Sequence, residues 1–411
     1  MIYREKYLNK IVSGFKTVSI VVLIGARQVG KTSLMKSCTL DGKTLFINGQ
    51  DPAIAELFQR FYDIEQYLKI YLNEKLEGYL LVDEFQFIHG ISTMLKLLTD
   101  NHPQLKVLCS GSSSLDILQQ IDESLAGRVR TIEVLSLSFE EYLLFKDQNL
   151  YQLFQSLNSD TESSALTAVF EDTLSEYMLY GGLPRAALAA RPDDKMEILN
   201  DIYKTYLLKD VRNYVANQDI VGFNKLLRLL ASQIGNLVNV NEISRSTGLS
   251  YKKCEEHLYL LEQMYILKMI EPYHTNKRKV IGKMKKIYFC DLGLRNMIEN
   301  NFNNLTFRSD GGALFENFVM LELWRNKNPG AILQFFRTSD GTEVDFVLNQ
   351  LNDILAVECK YKNIAKPISL VGLNNFCKAE AIERKYIVNK NFNATYKETK
   401  LIQGFLVNRL R

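Results

Sequence analysis

The chain has 411 residues, of which 46% are hydrophobic and 24% are charged, and its seven prolines argue against long disordered linkers. This length predicts two to four domains. A formal net charge of +3 is too small to indicate nucleic-acid binding by itself, so any basic surface must be argued locally. Residues 1–15 lack the apolar core of a secretion signal, and no window is apolar enough to span a membrane. The sequence therefore predicts a cytoplasmic location and no membrane partner.

A phosphate-binding loop is predicted near the N-terminus. The apolar, β-branched run at 17–24 favours a buried strand, and a loop with two glycines follows it. Such a loop can turn its backbone N–H groups toward phosphates, beside the positive end of the next helix. Lys31 is spaced to reach the β and γ phosphates of ATP, and Thr32 to bind Mg²⁺. A chance glycine-rich turn is the alternative. The predicted ATP-binding residues are Gly25, Ala26, Arg27, Gln28, Val29, Gly30, Lys31, Thr32 and Ser33.

Two acids close another apolar strand, predicted at 78–82. At the carboxyl end of a parallel strand, Asp83 can hold Mg²⁺ through water, and Glu84 can orient the attacking water or accept its proton. Adjacent acids also cap helices, which is the alternative for this pair. Their occurrence in one chain with a phosphate loop favours the catalytic interpretation.

Two further residues are predicted to act on the transferred phosphate. Ser110 follows a strand predicted at 105–109 and is placed to contact the γ-phosphate or the attacking water, while residues 112–114 fit either that role or helix capping. Arg128 precedes a strand predicted at 131–135. Its planar cation suits the transition state as an arginine finger, in this subunit or in a neighbour of a homo-oligomer. A surface salt bridge is the alternative for Arg128.

The order of phosphate-loop strand, acidic strand, polar-ended strand and arginine resembles the AAA+ class, in which a glutamate-bearing strand is inserted beside the P-loop strand. The resemblance implies ATP hydrolysis with Mg²⁺. Nearly the whole chain is similar to prokaryotic ATPases with a conserved C-terminal domain of unknown function, which implies a mostly helical lid over 135–208, with a turn at 181–184. The segments that carry this resemblance are 25–31, 83–86, 110–113, 137–142 and 180–184.

The middle of the chain has the pattern of a winged helix. Apolar residues at helical spacing over 223–237 precede a helix, a turn at Gly248 and a new helix begun by Ser250. Two strands are then predicted at 266–273 and 286–290, around a loop whose positive charge suits double-stranded DNA. A packing or hinge domain whose lysines face solvent, or one that binds protein, is the alternative. The basic residues of this wing are Lys277, Arg278, Lys279, Lys283 and Lys285, opposed by Glu271.

Near the C-terminus, polar residues are predicted to converge on one face of a hairpin. Strand alternation places Asp345 opposite its apolar neighbours, and Glu358 on the same face as Lys360. A hairpin centred between residues 351 and 352 puts Asp345 directly across from Glu358. Two carboxylates at that distance favour a Mg²⁺ or Mn²⁺ between them, with Lys360 orienting water.

These residues resemble the PD-(D/E)xK, restriction-endonuclease-like superfamily. Glu316, which lies off the apolar stripe of its predicted helix, matches the helical acid, Asp345 the strand acid, and Glu358 with Lys360 the ExK pair. The resemblance implies metal-dependent phosphodiester cleavage. A structural or DNA-binding domain, with Lys360 in a buried salt bridge, is the alternative.

The predicted fold is therefore α/β: a P-loop AAA+ core with a parallel sheet, a helical lid, a winged helix and a restriction-endonuclease-like domain. The predicted boundaries are 1–140, 141–220, 221–292 and 293–411. The favoured function is an ATPase that couples its nucleotide state to DNA or partner engagement. The alternatives are a metal-dependent DNA nuclease with a regulatory ATPase, and a non-catalytic signalling or mobile-element accessory ATPase.

Overall fold

The computed structural model describes residues 3–111, 127–157, 164–273, 284–338, 341–350 and 353–410. They fall into two compact units, and each unit contains one of the two large sheets. The first unit holds the residues up to 135 together with 263–265, and the second holds the rest. Among the described helices, none is long and apolar enough to cross a membrane.

The first unit is built on a five-stranded parallel sheet in the order β2-β3-β4-β1-β5. Its strands are β1 (Ile20–Ile24), β2 (Thr44–Asn48), β3 (Gly78–Asp83), β4 (Leu105–Gly111) and β5 (Val129–Glu133). Its helices are Glu5–Phe15, Lys31–Ser37, Pro52–Leu57, Phe61–Tyr71 and Ile91–Asn101, with a 3₁₀ turn at Phe85–Phe87. All five residues of β1 are buried, as expected of an interior strand covered on both faces. The predicted α/β class with a parallel sheet is confirmed.

The strand order corrects one expectation. The acidic strand β3 does not lie beside the P-loop strand β1, because β4 pairs with both and separates them. The three strands are similarly apolar, so their order depends on how the crossover connections pack rather than on local sequence. As a result Ser110, near the end of β4, lies between the phosphate loop and Asp83.

The second unit begins with a helical region, as predicted. Its first helix starts with a capping box, in which the Ser138 hydroxyl accepts the Glu141 N–H and the Glu141 carboxylate accepts the Ser138 N–H. Gly181 lies in the predicted turn, and a Cβ there would stand 2.2 Å from Oδ1 of Asp291, so a side chain has no room. The helices are Phe139–Lys146, Gln148–Ser156, Ser164–Tyr180, Pro184–Leu188 and Pro192–Ile202, followed by a π-helical turn at Tyr203–Asp210 and 3₁₀ turns at Val211–Tyr214 and Asn217–Asp219.

Three helices and two strands then follow in the predicted sequence. The helices are Ile220–Ser232, Val240–Thr247 and Tyr251–Gln263, and the strands are β6 (Leu267–Pro272) and β7 (Lys286–Phe289). Gly248 ends the second helix in the left-handed region with φ +78°, and the Ser250 hydroxyl accepts the N–H of Lys253 at the start of the third. The strands β6 and β7 form an antiparallel ribbon. The basic residues predicted at 277–279 and 283 lie outside the described residues.

The ribbon belongs to the eight-stranded sheet of the second unit, in the order β12-β13-β11-β10-β9-β8-β6-β7. Since β6 pairs with β8, this sheet runs across the boundary predicted after residue 292. The remaining strands are β8 (Ile332–Arg337), β9 (Glu343–Gln350), β10 (Asp353–Lys360), β11 (Arg384–Asn389), β12 (Ala394–Tyr396) and β13 (Thr399–Gln403). The remaining helices are Leu292–Glu299, Gly311–Asn326 and Val371–Ala379, with 3₁₀ turns at Leu305–Phe307 and Gly404–Arg409.

The core of this sheet fixes the position of its hairpin. Leu373 and Phe376, from the helix Val371–Ala379, share a buried cluster with Val347 of β9 and Ala356 of β10. Val347 pairs directly with Ala356, in the register that a hairpin centred between residues 351 and 352 predicts. A one-residue slip would turn these apolar side chains away from the helix, so the core enforces the register.

Candidate functional site

The phosphate loop joins the end of β1 to the helix Lys31–Ser37. Gly25 has φ +154°, and a Cβ there would lie 2.1 Å from the carbonyl oxygen of Val134, so no side chain fits. Gly30 precedes the helix with φ +94°, in the left-handed region that favours glycine. Gln28 also has a positive φ, of 63°. The loop backbone is therefore curled, as expected of a phosphate cradle.

The side chain of Lys31 is turned into this loop. Its Nζ donates to the carbonyl oxygens of Gly25 and Ala26, both at 2.8 Å. Burial lowers the pKa of Lys31 to about 8, and the charges of Glu84 and Asp83 oppose that shift. Phosphate oxygens are stronger partners for an ammonium group than neutral carbonyls. Lys31 can therefore exchange its carbonyl partners for phosphate.

Two predicted residues, Thr32 and Ser110, contact the carboxylate of a third, Asp83. The Thr32 hydroxyl donates to Oδ2 of Asp83 at 2.8 Å, and the Ser110 hydroxyl donates to Oδ1. The three residues come from the helix after β1, from β3 and from β4, whose carboxyl ends meet at one edge of the parallel sheet. The sheet thus brings hydroxyl and carboxylate oxygens together beside the phosphate loop, and these are the donors that Mg²⁺ prefers.

Glu84, directly after β3, has a strained backbone. Its φ of 50° and ψ of 45° lie in the left-handed region, which costs a residue with a side chain about 1–3 kcal/mol. The side-chain amide of Gln86 donates to Oε2 of Glu84 at 2.6 Å. Glu84 therefore leaves the strand in a turn of its own, and its carboxylate is oriented by a residue that was not among the predicted site residues.

Arg128 precedes β5 and lies near the amino-terminal ends of the parallel strands, whereas the phosphate loop lies at their carboxyl-terminal ends. Its carbonyl accepts the N–H of Ile20, the first residue of β1, whereas Gly25 follows the last. Five residues of strand separate the two positions, roughly 15 Å. The Nε of Arg128 contacts Oδ1 of Asp100 at 3.0 Å, and both side chains are about two-fifths exposed. This placement contradicts contact with nucleotide in the same chain, and the finger role remains a proposal for a neighbouring subunit.

Two residues of the N-terminal helix region, which were not among the predicted site residues, make contacts at or near the loop: Arg4 contacts both Val29 and Leu135, and Tyr7 contacts Leu135. The Arg4 guanidinium donates to the carbonyl oxygens of Val29, in the loop, and Leu135, at 3.2 and 3.0 Å. The Tyr7 hydroxyl accepts the N–H of Leu135 at 3.2 Å. Val29 is buried, whereas Gln28 and Ser33 are exposed. A charged residue 25 positions before Val29 gives no local signal of this contact, because the contact depends on tertiary packing.

In the second unit, Asp345 and Glu358 lie side by side. The N–H of Cys359 donates to Oδ2 of Asp345 at 2.8 Å, and the N–H of Asp345 lies 3.4 Å from Oε2 of Glu358. Lys360 donates to Oε1 of Glu358 at 2.7 Å. The predicted cross-strand proximity of Asp345 and Glu358 is therefore present, and Lys360 forms an ion pair of the kind considered as the alternative to a catalytic role.

A lysine that was not predicted as a site residue faces the other acids. The Nζ of Lys286, from β7, lies 3.0 Å from Oε1 of Glu316, 2.5 Å from Oε1 of Glu343 and 3.8 Å from Oδ1 of Asp345. The Tyr288 hydroxyl donates to the same oxygen of Glu316 at 2.6 Å. Lys286 and Tyr288 alternate with apolar residues along β7, which was the available sequence signal for an inward-facing pair.

The charges of this cluster oppose one another strongly. Burial raises the pKa of Asp345 well above its usual range, and the charges of Glu316 and Glu358 raise it further. Burial would lower the pKa of Lys286, but the carboxylates of Glu316, Asp345 and Glu343 outweigh it and raise the pKa. Among the described residues, no group of three or more His, Cys, Asp or Glu side chains is arranged to hold a metal ion. The ammonium group of Lys286 thus contacts carboxylate oxygens at the place where the second metal was predicted.

The described part of the ribbon carries less free positive charge than the sequence suggests. Lys285 pairs with Glu271 at 3.0 Å, and Lys286 points inward. On the helix Tyr251–Gln263, Lys253 contacts Glu256 at 2.8 Å, and Lys252, whose side chain is 86% exposed, lies 3.9 Å from the same carboxylate. Among the described residues named here, Lys252 is the most exposed of the basic side chains, and its ion pair with Glu256 is the longest.

Three family models match the chain. Residues 17–143 match a model described as an AAA domain. Residues 171–305 and 311–404 match two domains of unknown function, DUF8612 and DUF4143. The first match and the geometry of the phosphate loop agree, and the chain contains an ATP-binding P-loop ATPase domain of the AAA type.

The chain is also similar to proteins described as uncharacterized. One from Haemophilus influenzae is 24% identical over 408 residues, covering 94% of each chain. Another, MJ1544 of Methanocaldococcus jannaschii, is 25% identical over 348 residues, covering 83% of this chain and 74% of the other. These similarities extend across both units and carry no named activity.

Two solved structures are similar to part of the chain. The Walker-type ATPase PABY2304 of Pyrococcus abyssi has a TM-score of 0.49 at 14% identity, covering 72% of this chain and 96% of the other. The ORC2 protein of Aeropyrum pernix has a TM-score of 0.39 at 12% identity, covering 73% of this chain and 90% of the other.

Proposed function

We propose that this chain hydrolyses ATP at the phosphate loop and uses its nucleotide state to control engagement of double-stranded DNA by the second unit, in the cytoplasm. The observation that supports the catalytic part is the carboxylate of Asp83, which accepts the hydroxyls of Thr32 and Ser110 beside the loop. Thr32 and Asp83 would hold Mg²⁺, Asp83 through water, and the ion would neutralise charge on the β and γ phosphates.

The other residues act around the γ-phosphate. Lys31 leaves the carbonyls of Gly25 and Ala26 to bind phosphate oxygens. Glu84, oriented by Gln86, accepts a proton from the attacking water or aligns it. Ser110, between the loop and Asp83, is placed to contact the γ-phosphate or that water.

The coupling to DNA is tested by ATP turnover of the full chain with and without duplex DNA. We expect DNA to change the turnover of the wild type and to leave that of Lys31→Ala at background. If DNA does not change the rate of ATP turnover, and if the affinity for DNA does not depend on salt, the DNA proposal is wrong. A protein partner or a non-catalytic accessory role would then be favoured.

The helix–turn–helix, the ribbon and the exposed Lys252 support the DNA part of the proposal. Phosphate contacts make binding depend on salt, with a slope of about −0.9 in log affinity against log salt for each contact. We expect Lys252→Ala and Lys279→Ala each to reduce this slope by about 1. Lys16→Ala, in the first unit, serves as the control and should leave the slope unchanged.

A second candidate is a metal-dependent DNA nuclease with a regulatory ATPase. The adjacent Asp345 and Glu358 favour it. Manganese-dependent nicking of plasmid DNA by the full chain, lost in Asp345→Ala and retained in Lys31→Ala, would support this candidate. Absence of nicking together with salt-sensitive DNA binding would favour the first.

A further inference from the structure

The ammonium group of Lys286 lies inside the acid cluster formed by Glu316, Glu343 and Asp345. Its side chain is 3% exposed, and Nζ contacts an oxygen of each of the three acids within 3.8 Å. The three carboxylates come from the helix Gly311–Asn326 and from β9, whereas Lys286 comes from β7, which pairs only through β6 and β8 with that part of the sheet. The contact is therefore made by tertiary packing.

Neighbouring groups close the remaining sides of the cluster. The Tyr288 hydroxyl and the N–H of Cys359 donate to Glu316 and Asp345. The stem of Lys286 ends over the buried ring of Phe335, with Nζ 5.6 Å from the ring centre. Gly235 covers Glu316, since a Cβ there would stand 3.4 Å from its Oε1. The side chain of Lys286 is therefore buried, with its ammonium group against the carboxylates.

The charges here are nearly balanced without any added ion. Four carboxylates, of Glu316, Glu343, Asp345 and Glu358, face three cations, of Lys286, Lys360 and Arg337. A divalent cation beside the buried ammonium would meet strong repulsion, because a low effective dielectric constant strengthens interactions between like charges. The same carboxylates without the ammonium would repel one another and attract such an ion.

We infer that Lys286 is a built-in cation that holds the cluster of Glu316, Glu343 and Asp345 in place of a divalent metal, and that this cluster binds a divalent cation only when the ammonium group is removed or withdrawn. This inference does not depend on the proposed ATPase and DNA functions. It bears on the nuclease candidate, which would require β7 to move before a metal could enter.

The test is Mn²⁺ binding to the full chain without nucleotide, measured by titration calorimetry and by the electron paramagnetic resonance signal of free Mn²⁺. Methionine resembles lysine in length and lacks the charge. Lys286→Met is expected to gain one Mn²⁺ site that binds at least about tenfold more tightly than any site of the wild type. The double variant, with Lys286→Met and Asp345→Asn, is expected to lose that site. Lys285→Met, whose side chain pairs with Glu271 on the surface, should gain none.

The fluorescence of the single tryptophan, Trp324, reports whether the second unit of each variant is folded. For the folded Lys286→Met variant, Mn²⁺ should raise the melting temperature by more than it does for the wild type. A folded Lys286→Met variant that binds no more Mn²⁺ than the wild type would overturn the inference.

If Lys286→Met does not fold, the inference is tested by comparing Mn²⁺ binding by the wild type and by Asp345→Asn. The inference expects the same Mn²⁺ stoichiometry for both, because Lys286 already occupies the cluster. A site present in the wild type and lost in Asp345→Asn would show that the cluster takes a metal with Lys286 in place, and the inference would be wrong.

Discussion

Each unit buries a lysine in its candidate site, and these two lysines, Lys31 and Lys286, are held in opposite ways. In the first unit, Lys31 donates to the neutral carbonyls of Gly25 and Ala26, and burial lowers its pKa to about 8. In the second, Lys286 contacts three carboxylates, which outweigh its burial and raise its pKa. A buried ammonium with only neutral partners gains from an incoming anion, whereas one already paired with carboxylates does not.

The aspartates beside the two lysines, Asp83 and Asp345, also differ in whether their contacts are neutral or charged. The contacts of Asp83 described above are hydroxyl groups, of Thr32 and Ser110, which donate without cancelling its charge. Asp345 faces the ammonium of Lys286 and accepts a backbone N–H. Acids and a lysine thus support a nucleotide and Mg²⁺ site in one unit and a cluster with its own buried cation in the other. The partner of the lysine, more than the presence of acids, distinguishes the two.

The largest expected effect is on stability. Lys286→Met leaves buried carboxylates without their cation, and breaking a buried pair in this way costs about 3–5 kcal/mol of unfolding free energy. Chemical denaturation followed by the fluorescence of Trp324 measures this in the second unit. Lys285→Met is the matched control and should change stability by less than about 1 kcal/mol, since its ion pair is exposed. Equal effects of the two variants would contradict the comparison.

Removing the first lysine should instead affect chemistry. Lys31→Ala is expected to lower ATP turnover by roughly 100- to 1,000-fold, because the phosphates lose a buried charge partner. A steady-state phosphate-release assay measures it, with nucleotide binding followed separately. Lys36→Ala, in the same helix, should retain turnover. If Lys31→Ala lowered the free energy of unfolding as much as Lys286→Met does, the proposed difference between the two lysines would be wrong.

Glu84→Gln separates binding from hydrolysis within the first unit. The amide keeps the size of the side chain but cannot accept a proton, so turnover should fall roughly 100-fold. The dissociation constant for ATP should stay within about twofold, because the expected phosphate and Mg²⁺ contacts belong to other residues. Single-turnover hydrolysis and equilibrium nucleotide titration measure the two quantities. Wild-type turnover in this variant would refute the role assigned to Glu84.

The smallest effect is expected for Arg128→Ala in dilute protein. Arg128 lies near the amino-terminal ends of the strands, away from the phosphate loop. Its exposed ion pair with Asp100 contributes less than about 1 kcal/mol to stability. Turnover should stay within about twofold of the wild type at low concentration and fall below it only where the wild type self-associates. Turnover as a function of protein concentration tests this. A large loss in the monomer would mean that the first unit rearranges.

Much of the nucleotide site could be predicted from sequence because its parts are local. The spacing of Gly25, Gly30 and Lys31 after an apolar run, and the acids directly after another, determine short-range geometry. The hairpin in the second unit was predictable for the same reason, since counting outward from its turn pairs Val347 with Ala356. These are relations between residues close in the chain or related by one turn.

The contributions of Arg4 and Gln86 could not be predicted in the same way. Arg4 reaches Val29 and Leu135 through packing of the N-terminal helix, and Gln86 contacts Glu84 because of an unusual left-handed backbone. Neither residue type nor spacing distinguishes such contacts from ordinary surface positions.

The sequence by itself therefore determined the phosphate loop, the two acids at the end of β3 and the register of the C-terminal hairpin. Tertiary structure alone decided that β4 separates β1 from β3, that Arg128 lies far from the loop, and that Lys286 enters the acid cluster. The physical reason is that strand order and the pairing of buried charges depend on which distant surfaces pack together, a choice made by the burial of the whole core rather than by local spacing.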